Sequence, residues 1–511
     1  MAAAETTHTA MTLADQLPIL QVLVPFLAAP IIVIFGSRGF GWLMAMVASF
    51  ASFVIALTML LTVMDGSVIS YHLGGWAPPL GIEYRVDAAN AFVLMLVGAI
   101  ATIVLPYARE SIASEIDARH LPLFYAAFLL CLSGLLGVAV TGDAFNVFVF
   151  LEISSLSTYV LVAMGAKRDR RALTAAFNYL IMGTIGATFF VIGIGFLYAA
   201  TGTLNMVDIA ARIAENGVDR TITTAFAFIV VGMGLKVAIY PMHLWLPNAY
   251  GYAPSAVTVF LAATATKVAI YVLMRFLFSV FQLKFVGEMN TLEFIVIPLA
   301  ILAMFAASLI AIFQTDFKRM LAYSSVAQIG YILLGIGLLN ATGLSAAMIH
   351  LFNHGITKAA LFMGVGALVL RAGNSFYPRI TGMGKTMPWT GFAIVIGGLS
   401  LIGVPGTAGF VSKWLLVQAA MERGWWFIAL LIVASSLLAV IYVWNVIETL
   451  YLAEPDKDVE PGEAPMSMVV PMWIMALACI WFGLDTGTTL GAAETAANGL
   501  LNGFSGPVVA H

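Results

Sequence analysis

Charge is scarce in this sequence. Only 10% of its 511 residues are Asp, Glu, Lys or Arg, while 61% are hydrophobic; soluble proteins carry about 25% charged residues. So few charges cannot cover a water-facing surface, and the chain is therefore solvated by lipid. Cysteine is almost missing as well. Cys131 and Cys479 are the whole complement, each in an apolar run, which excludes a cysteine-ligated iron–sulfur cluster, a zinc ribbon or a disulfide framework. There is no Walker loop, and no GxGxxG opens a helix after a strand; the GIG at Gly193 and the GMG at Gly232 lie inside apolar runs and carry no nucleotide signal. Linker-like Ser/Gly stretches are absent, and the loops leave no room for a soluble domain. NAD, flavin and nucleotide therefore have no place to bind, no cofactor or metal is expected, and the chain by itself should neither perform redox chemistry nor hydrolyse ATP. A net charge of −3 gives no electrostatic reason to bind nucleic acid. The first stretch, MAAAETTHTAMTLADQ, is followed by no Lys or Arg until Arg38; it lacks the basic region of a signal peptide, so the first apolar run is expected to remain as a helix.

What the sequence does have is length without charge. Runs long enough to span a bilayer begin near residues 18, 40, 87, 120, 144, 173, 222, 254, 292, 319, 343, 388, 425 and 466. This predicts an all-α polytopic membrane protein with about 14 transmembrane helices, as one membrane domain over residues 1–511. Of the 23 Lys and Arg residues, thirteen (Lys457 among them) fall in loops after odd-numbered runs, six after even-numbered ones and four inside runs. The positive-inside rule then puts the N-terminus outside, with the cluster KRDRR (Lys167 to Arg171) anchoring the fifth span. Lys318 and Arg319, at the start of the tenth span, read as a further interfacial anchor. Ionisable groups inside the membrane occur only in the middle ten spans, so the first three and the last are expected to be peripheral.

Those intramembrane groups are the candidate site, because an ionisable side chain in hydrocarbon is costly and marks a pathway by default. Glu152 is the one ionisable residue of NVFVFLEISSLSTYVLVAMG; its carboxylate needs either a counter-charge or the nearby hydroxyls of Ser155 and Tyr159. In GMGLKVAIYPMHLWLPNAYGYAP, Lys236 and His243 are seven residues apart, nearly one helix face, with Pro241 between them. Proline removes a backbone donor and breaks the helix, and broken helices at membrane depth line cavities. Lys267 lies about fourteen residues into the eighth span. His350, His354 and Lys358 recur at i, i+4 and i+8 in AAMIHLFNHGITKAALF. This ridge suits a proton relay; hydrogen bonding within the bundle, or a metal lacking an acidic third ligand, are the alternatives. In GLSLIGVPGTAGFVSKWLLVQ, Gly403, Pro405, Gly406 and Gly409 interrupt the twelfth span just before Lys413. Paired interruptions of this kind point to an inverted-repeat transporter.

The segments FNVFVFLEISS, LKVAIYPMHLWLPNAYGYAP, FKRMLAYSSVAQIGYILLG, HLFNHGITKAALFMGVGAL and GVPGTAGFVSKW together resemble the antiporter-like membrane subunits shared by respiratory complex I, membrane-bound hydrogenases and Mrp-type multisubunit cation/proton antiporters. FVFLEISS, GTLNM and AQIGYILLG look most like the D subunit of the Mrp type, whereas YPMHLWLP looks closer to complex I. The resemblance runs roughly from the third span to the thirteenth. It implies two inverted five-helix repeats, residues 120–277 (helices 4–8) and 287–452 (helices 9–13), with broken helices 7 and 12. It also implies a mid-membrane axis on which Glu152 matches the fifth-helix glutamate, Lys236 the seventh-helix lysine, Lys267 the bridging lysine and Lys413 the terminal residue. The implied function is proton translocation in a multisubunit Na+/proton antiporter, or alternatively in an NADH:quinone oxidoreductase or hydrogenase complex. Other membrane subunits, the lipid bilayer, protons and Na+ are the implied partners, and a cell inner (plasma) membrane the implied location.

Overall fold

A computed structural model describes residues 14–454, 462–504 and 507–510; the first thirteen residues and Lys457 lie outside them. Spans one to six are Ala14–Phe35, Gly39–Val63, Ala88–Glu115, Ala118–Val140, Ala144–Lys167 and Arg171–Thr201. The eighth to eleventh are Ser255–Val280, Leu292–Ile312, Phe317–Gly337 and Ala341–Ala372, and the thirteenth and fourteenth are Trp426–Tyr451 and Met466–Leu484. With Arg220–Val237 these make thirteen helices long and apolar enough to cross a membrane among the described residues. Helix starts are set by short polar side chains that accept from otherwise orphaned N–H groups: Asp87, Asp143, Asp219, Asp316 and Asn340 each cap one.

The two predicted interruptions are present. The seventh span unwinds after Val237 and resumes as Trp245–Tyr252, with Pro241 in the gap. The twelfth consists of two 15-residue helices, Pro388–Ile402 and Ala408–Glu422, with Pro405 between them. Each break opens on a left-handed residue, Ala238 (φ 63°) and Gly403 (φ 89°). A side chain in that region is strained, so Ala238 holds stored strain two residues from Lys236. The halves of the twelfth span meet without space to spare: a Cβ on Gly409 would collide with the Ser400 carbonyl oxygen. Gly409→Ala is therefore expected to push the halves apart at a cost of about 1–3 kcal/mol, read as a lowered melting temperature of the purified assembly. An unchanged melting temperature would show that the halves separate freely.

Three features depart from the sequence reading. The third span is interior rather than peripheral: Phe92, Val97 and Leu105 are buried, and the Tyr107 hydroxyl donates to the Met363 carbonyl of the eleventh span at 3.1 Å. The third span's charges, Arg109, Glu110 and Glu115, lie in its last two turns; an uncharged middle does not make a helix peripheral, and here it makes a core helix. The eighth span is itself broken at Thr264, between Ser255–Ala263 and Ala265–Met274, without any proline to announce it. And the all-α bundle carries a small sheet on the face opposite the basic cluster. Strands β1 (Val68–His72), β2 (Glu83–Val86) and β3 (Val508–Ala510) lie in the order β2-β1-β3, with β1/β2 antiparallel and β1/β3 parallel. Strands of three to five residues leave too short a period-2 signal to stand out. Beside the sheet, Arg85 donates to the Phe504 carbonyl at 3.3 Å and Arg275 pairs with Asp87 at 2.7 Å. Burial works to raise the Asp87 pKa, but the Arg275 guanidinium and the Asn90 N–H outweigh it and hold the carboxyl below its usual range.

Candidate functional site

Three buried lysines share one local construction: each ammonium donates to a carbonyl at a helix end, the negative pole of the helix dipole. Lys267 is fully buried and donates to the Ala262 carbonyl across the break in the eighth span, with Thr266 Oγ1 at 3.5 Å. Lys413 donates to the Leu401 and Ile402 carbonyls at 3.1 and 2.8 Å, the C-terminal end of the first half of the twelfth span, and lies 4.7 Å from the centre of the Tyr331 ring. Lys318 donates to Ala253, the C-cap of Trp245–Tyr252, at 3.2 Å.

Lys236, the penultimate residue of the first half of the seventh span, instead has a carboxylate at salt-bridge distance. Its Nζ lies 3.7 Å from Glu152 Oε1 and donates to Ser155 Oγ at 2.7 Å. Ser155 thus serves the lysine rather than the glutamate, and Glu152 Oε1 has no hydrogen bond among the described residues. An attraction of about 4 kcal/mol at this distance and an effective dielectric of about 20 is comparable with the several kcal/mol lost on burying an ion. The pair can therefore close or open at little net cost. The Glu152 side chain is 25% exposed, against 7% for Lys236, and its helix neighbours Val149 and Leu156 are exposed. The carboxylate reaches the flank of the bundle.

Beyond Lys236 a cavity of about 30 Å³ is bordered by Ser155, Trp245 and Thr266, enough for a water molecule, and Thr266 leads to Lys267. The eleventh span lies against that break, since a Cβ on Gly355 would meet the Ala263 carbonyl at 3.2 Å. Lys267, Lys358 and Lys413 are all within electrostatic reach of His354. Lys358, at mid-helix, donates to the Leu321 carbonyl at 2.8 Å and to Ser324 Oγ at 2.5 Å.

The two histidines differ. His350 is held on both sides, Nε2 at 3.0 Å from Gln328 Oε1 and Nδ1 at 2.7 Å from Ser412 Oγ. The amide oxygen only accepts, so Nε2 carries a proton. His354 is buried, and neither ring nitrogen has a hydrogen-bond partner among the described residues. His243 does not share a helix face with Lys236, because the chain unwinds between them; it stacks on Tyr240 at 4.8 Å, with Tyr323 at 6.3 Å.

Sequence reasoning passes over Ser155 as a lysine partner, and over Thr266, Ser324, Gln328 and Ser412, which join the charged stations. Spacing could have found Ser324 and Gln328, an i, i+4 polar pair in LAYSSVAQIGY. Two anchor residues do more than the sequence assigns them. Lys318 is only 4% exposed, so it is no interfacial anchor; the loop carrying Ala253 closes over it. Arg168, part of the KRDRR anchor, also pairs with the buried Glu115 at 3.2 Å.

Residues 141–439 match the family described as NADH:quinone oxidoreductase/Mrp antiporter, TM. The chain is 40% identical to the N subunit of NADH-quinone oxidoreductase from Desulforudis audaxviator, over 92% of this chain and 95% of that one. It is 30% identical to the D subunit of the Na(+)/H(+) antiporter from Bacillus subtilis, over 95% and 97%. Among solved structures, a chain of the Mrp complex from a Dietzia species superposes with a TM-score of 0.88 at 26% identity, covering 96% of this chain and 98% of that one.

Proposed function

We propose a function that starts from family membership, for this chain belongs to the NADH:quinone oxidoreductase/Mrp antiporter family: it is a proton-translocating subunit of a multisubunit monovalent cation (Na+)/proton antiporter of the Mrp type. The observation that carries this reading is the Glu152–Lys236 pair at the mouth of a broken helix, with a cavity leading to Thr266 and Lys267. Lys236 alternates between pairing with Glu152 and passing its proton toward Lys267; His354 and Lys358 continue the path, and Lys413 ends it. His350 holds the tenth, eleventh and twelfth spans in register. Residues 120–277 and 287–452 form the two repeats, each with its own break. Other membrane subunits are its partners, and one of them covers the exposed flank of Glu152, since a carboxylate facing lipid at that depth is costly. The chain lies in the cell inner (plasma) membrane with its N-terminus outside, because the basic loops cluster on one face.

The 40% identity to an NADH-quinone oxidoreductase subunit favours a second reading, a proton-pumping subunit of a redox-driven complex. One experiment separates the two. The purified assembly, reconstituted in vesicles with a pH-sensitive dye, is expected to dissipate an imposed pH gradient on addition of Na+, and to do so without iron–sulfur proteins in the preparation. Co-purifying iron–sulfur subunits, with no Na+-dependent flux, would establish the redox reading instead.

A further inference from the structure

Lys318 has a use that capping Ala253 does not exhaust. On the tenth span Lys318, Leu321, Ser325 and Gln328 recur at i, i+3, i+7 and i+10, one face of a helix, with Ser324 beside them. All are buried. Ten residues at 1.5 Å each cover about 15 Å, half the thickness of the hydrocarbon core. The lower end of this stripe borders a polar cavity of about 50 Å³ on the basic face, shared with Arg168, Tyr252, Asp316 and Ser375. Its middle holds Lys358 through the Leu321 carbonyl and Ser324, and its upper end holds His350 through Gln328. The stripe thus joins a face of the protein to Lys358.

We propose that Lys318 is the entry station for protons from the basic face, handing them along Ser324 to Lys358, so that the second half of the axis has a proton source of its own that works in concert with the Glu152–Lys236 pair. Its setting is built for a titrating ammonium. Glu115 from the third span and Asp316 from its own helix face it with negative charge, and Arg168 from the loop after the fifth span opposes them. The inference rests on the transport reading above.

The test uses the complete assembly in vesicles. Lys318→Arg keeps both the charge and a donor for the Ala253 carbonyl but cannot release a proton at physiological pH. It is expected to assemble normally and to lose proton flux by about 100-fold, the scale on which losing a titrating group slows proton transfer. Lys318→His restores a titrating group with a lower pKa, and is expected to recover flux with its optimum moved toward acid. Wild-type flux in Lys318→Arg, or an unshifted pH profile in Lys318→His, would overturn the proposal. So would failure of both variants to assemble, which would make Lys318 a clamp alone. Glu152→Gln measured in parallel keeps the two readings apart: if it is dead while Lys318→Arg is normal, only the entry route falls.

Discussion

Glu152→Gln is expected to reduce Na+-dependent proton flux by about 100-fold, as for any proton-transfer step deprived of its titrating group, while the assembly remains intact. The glutamine amide occupies the same volume but carries no charge. The Lys236 ammonium, 3.7 Å away and 7% exposed, then keeps Ser155 as its hydrogen-bond partner, and it settles in one protonation state. Lys236→Ala should give the same loss from the other side, leaving a carboxylate with no cation in reach. The double variant should be no worse than either single one, because residues that act as a unit are not additive. Flux is read by dye in vesicles and assembly by co-purification. Wild-type flux in either single variant would remove the pair from the mechanism, whereas loss of the assembly would assign it a structural role.

The second large effect is expected at Lys413. Its substitution by Met removes the titrating end of the axis and also leaves the Leu401 and Ile402 carbonyls without their donor. Each buried carbonyl left unpaired costs about 1–3 kcal/mol, so Lys413→Met should lose both transport and thermal stability. Lys413→Arg should regain stability, because a guanidinium can still donate to the helix end, but not transport. The pattern distinguishes this lysine from Glu152, whose conservative variant keeps its fold. If Lys413→Met melted like the wild type, the ammonium would not be holding the break together.

The contrast follows from how the two halves of the bundle handle charge, and it marks what is legible in the residues alone. Glu152, Lys236, Lys267, Lys358 and Lys413 are visible because a charge in an apolar run stands out. Pro241, Pro405 and the glycines beside Pro405 announce two breaks. The break at Thr264 has no such marker; the departure from helix there is imposed by tertiary packing. The uncharged bridges, Gln328 and Ser412 above all, escape notice because serine and glutamine in a helix are ordinary until a histidine on another helix is seen to need them. Lys318 reads as an anchor only while its depth is judged from its own helix. The Ala253 loop that buries it comes from 65 residues away. Likewise, the unequal roles of His350 and His354 depend on which neighbours the twelfth span supplies, which no spacing within the eleventh reveals.

The sheet on the opposite face has a consequence in time. Arg85 is tied to Phe504, 419 residues further along the chain, and β1 pairs with β3 beyond it. At about 5–20 residues per second of synthesis, roughly 20–80 s separate the emergence of one partner from that of the other. Through that interval the hairpin of β1 and β2 waits with an open edge and Arg85 waits for its acceptor, while the helices between them enter the membrane. The face closes only when the later segment arrives. A nascent chain stalled before Phe504 would therefore present its full series of helices with that face unsealed.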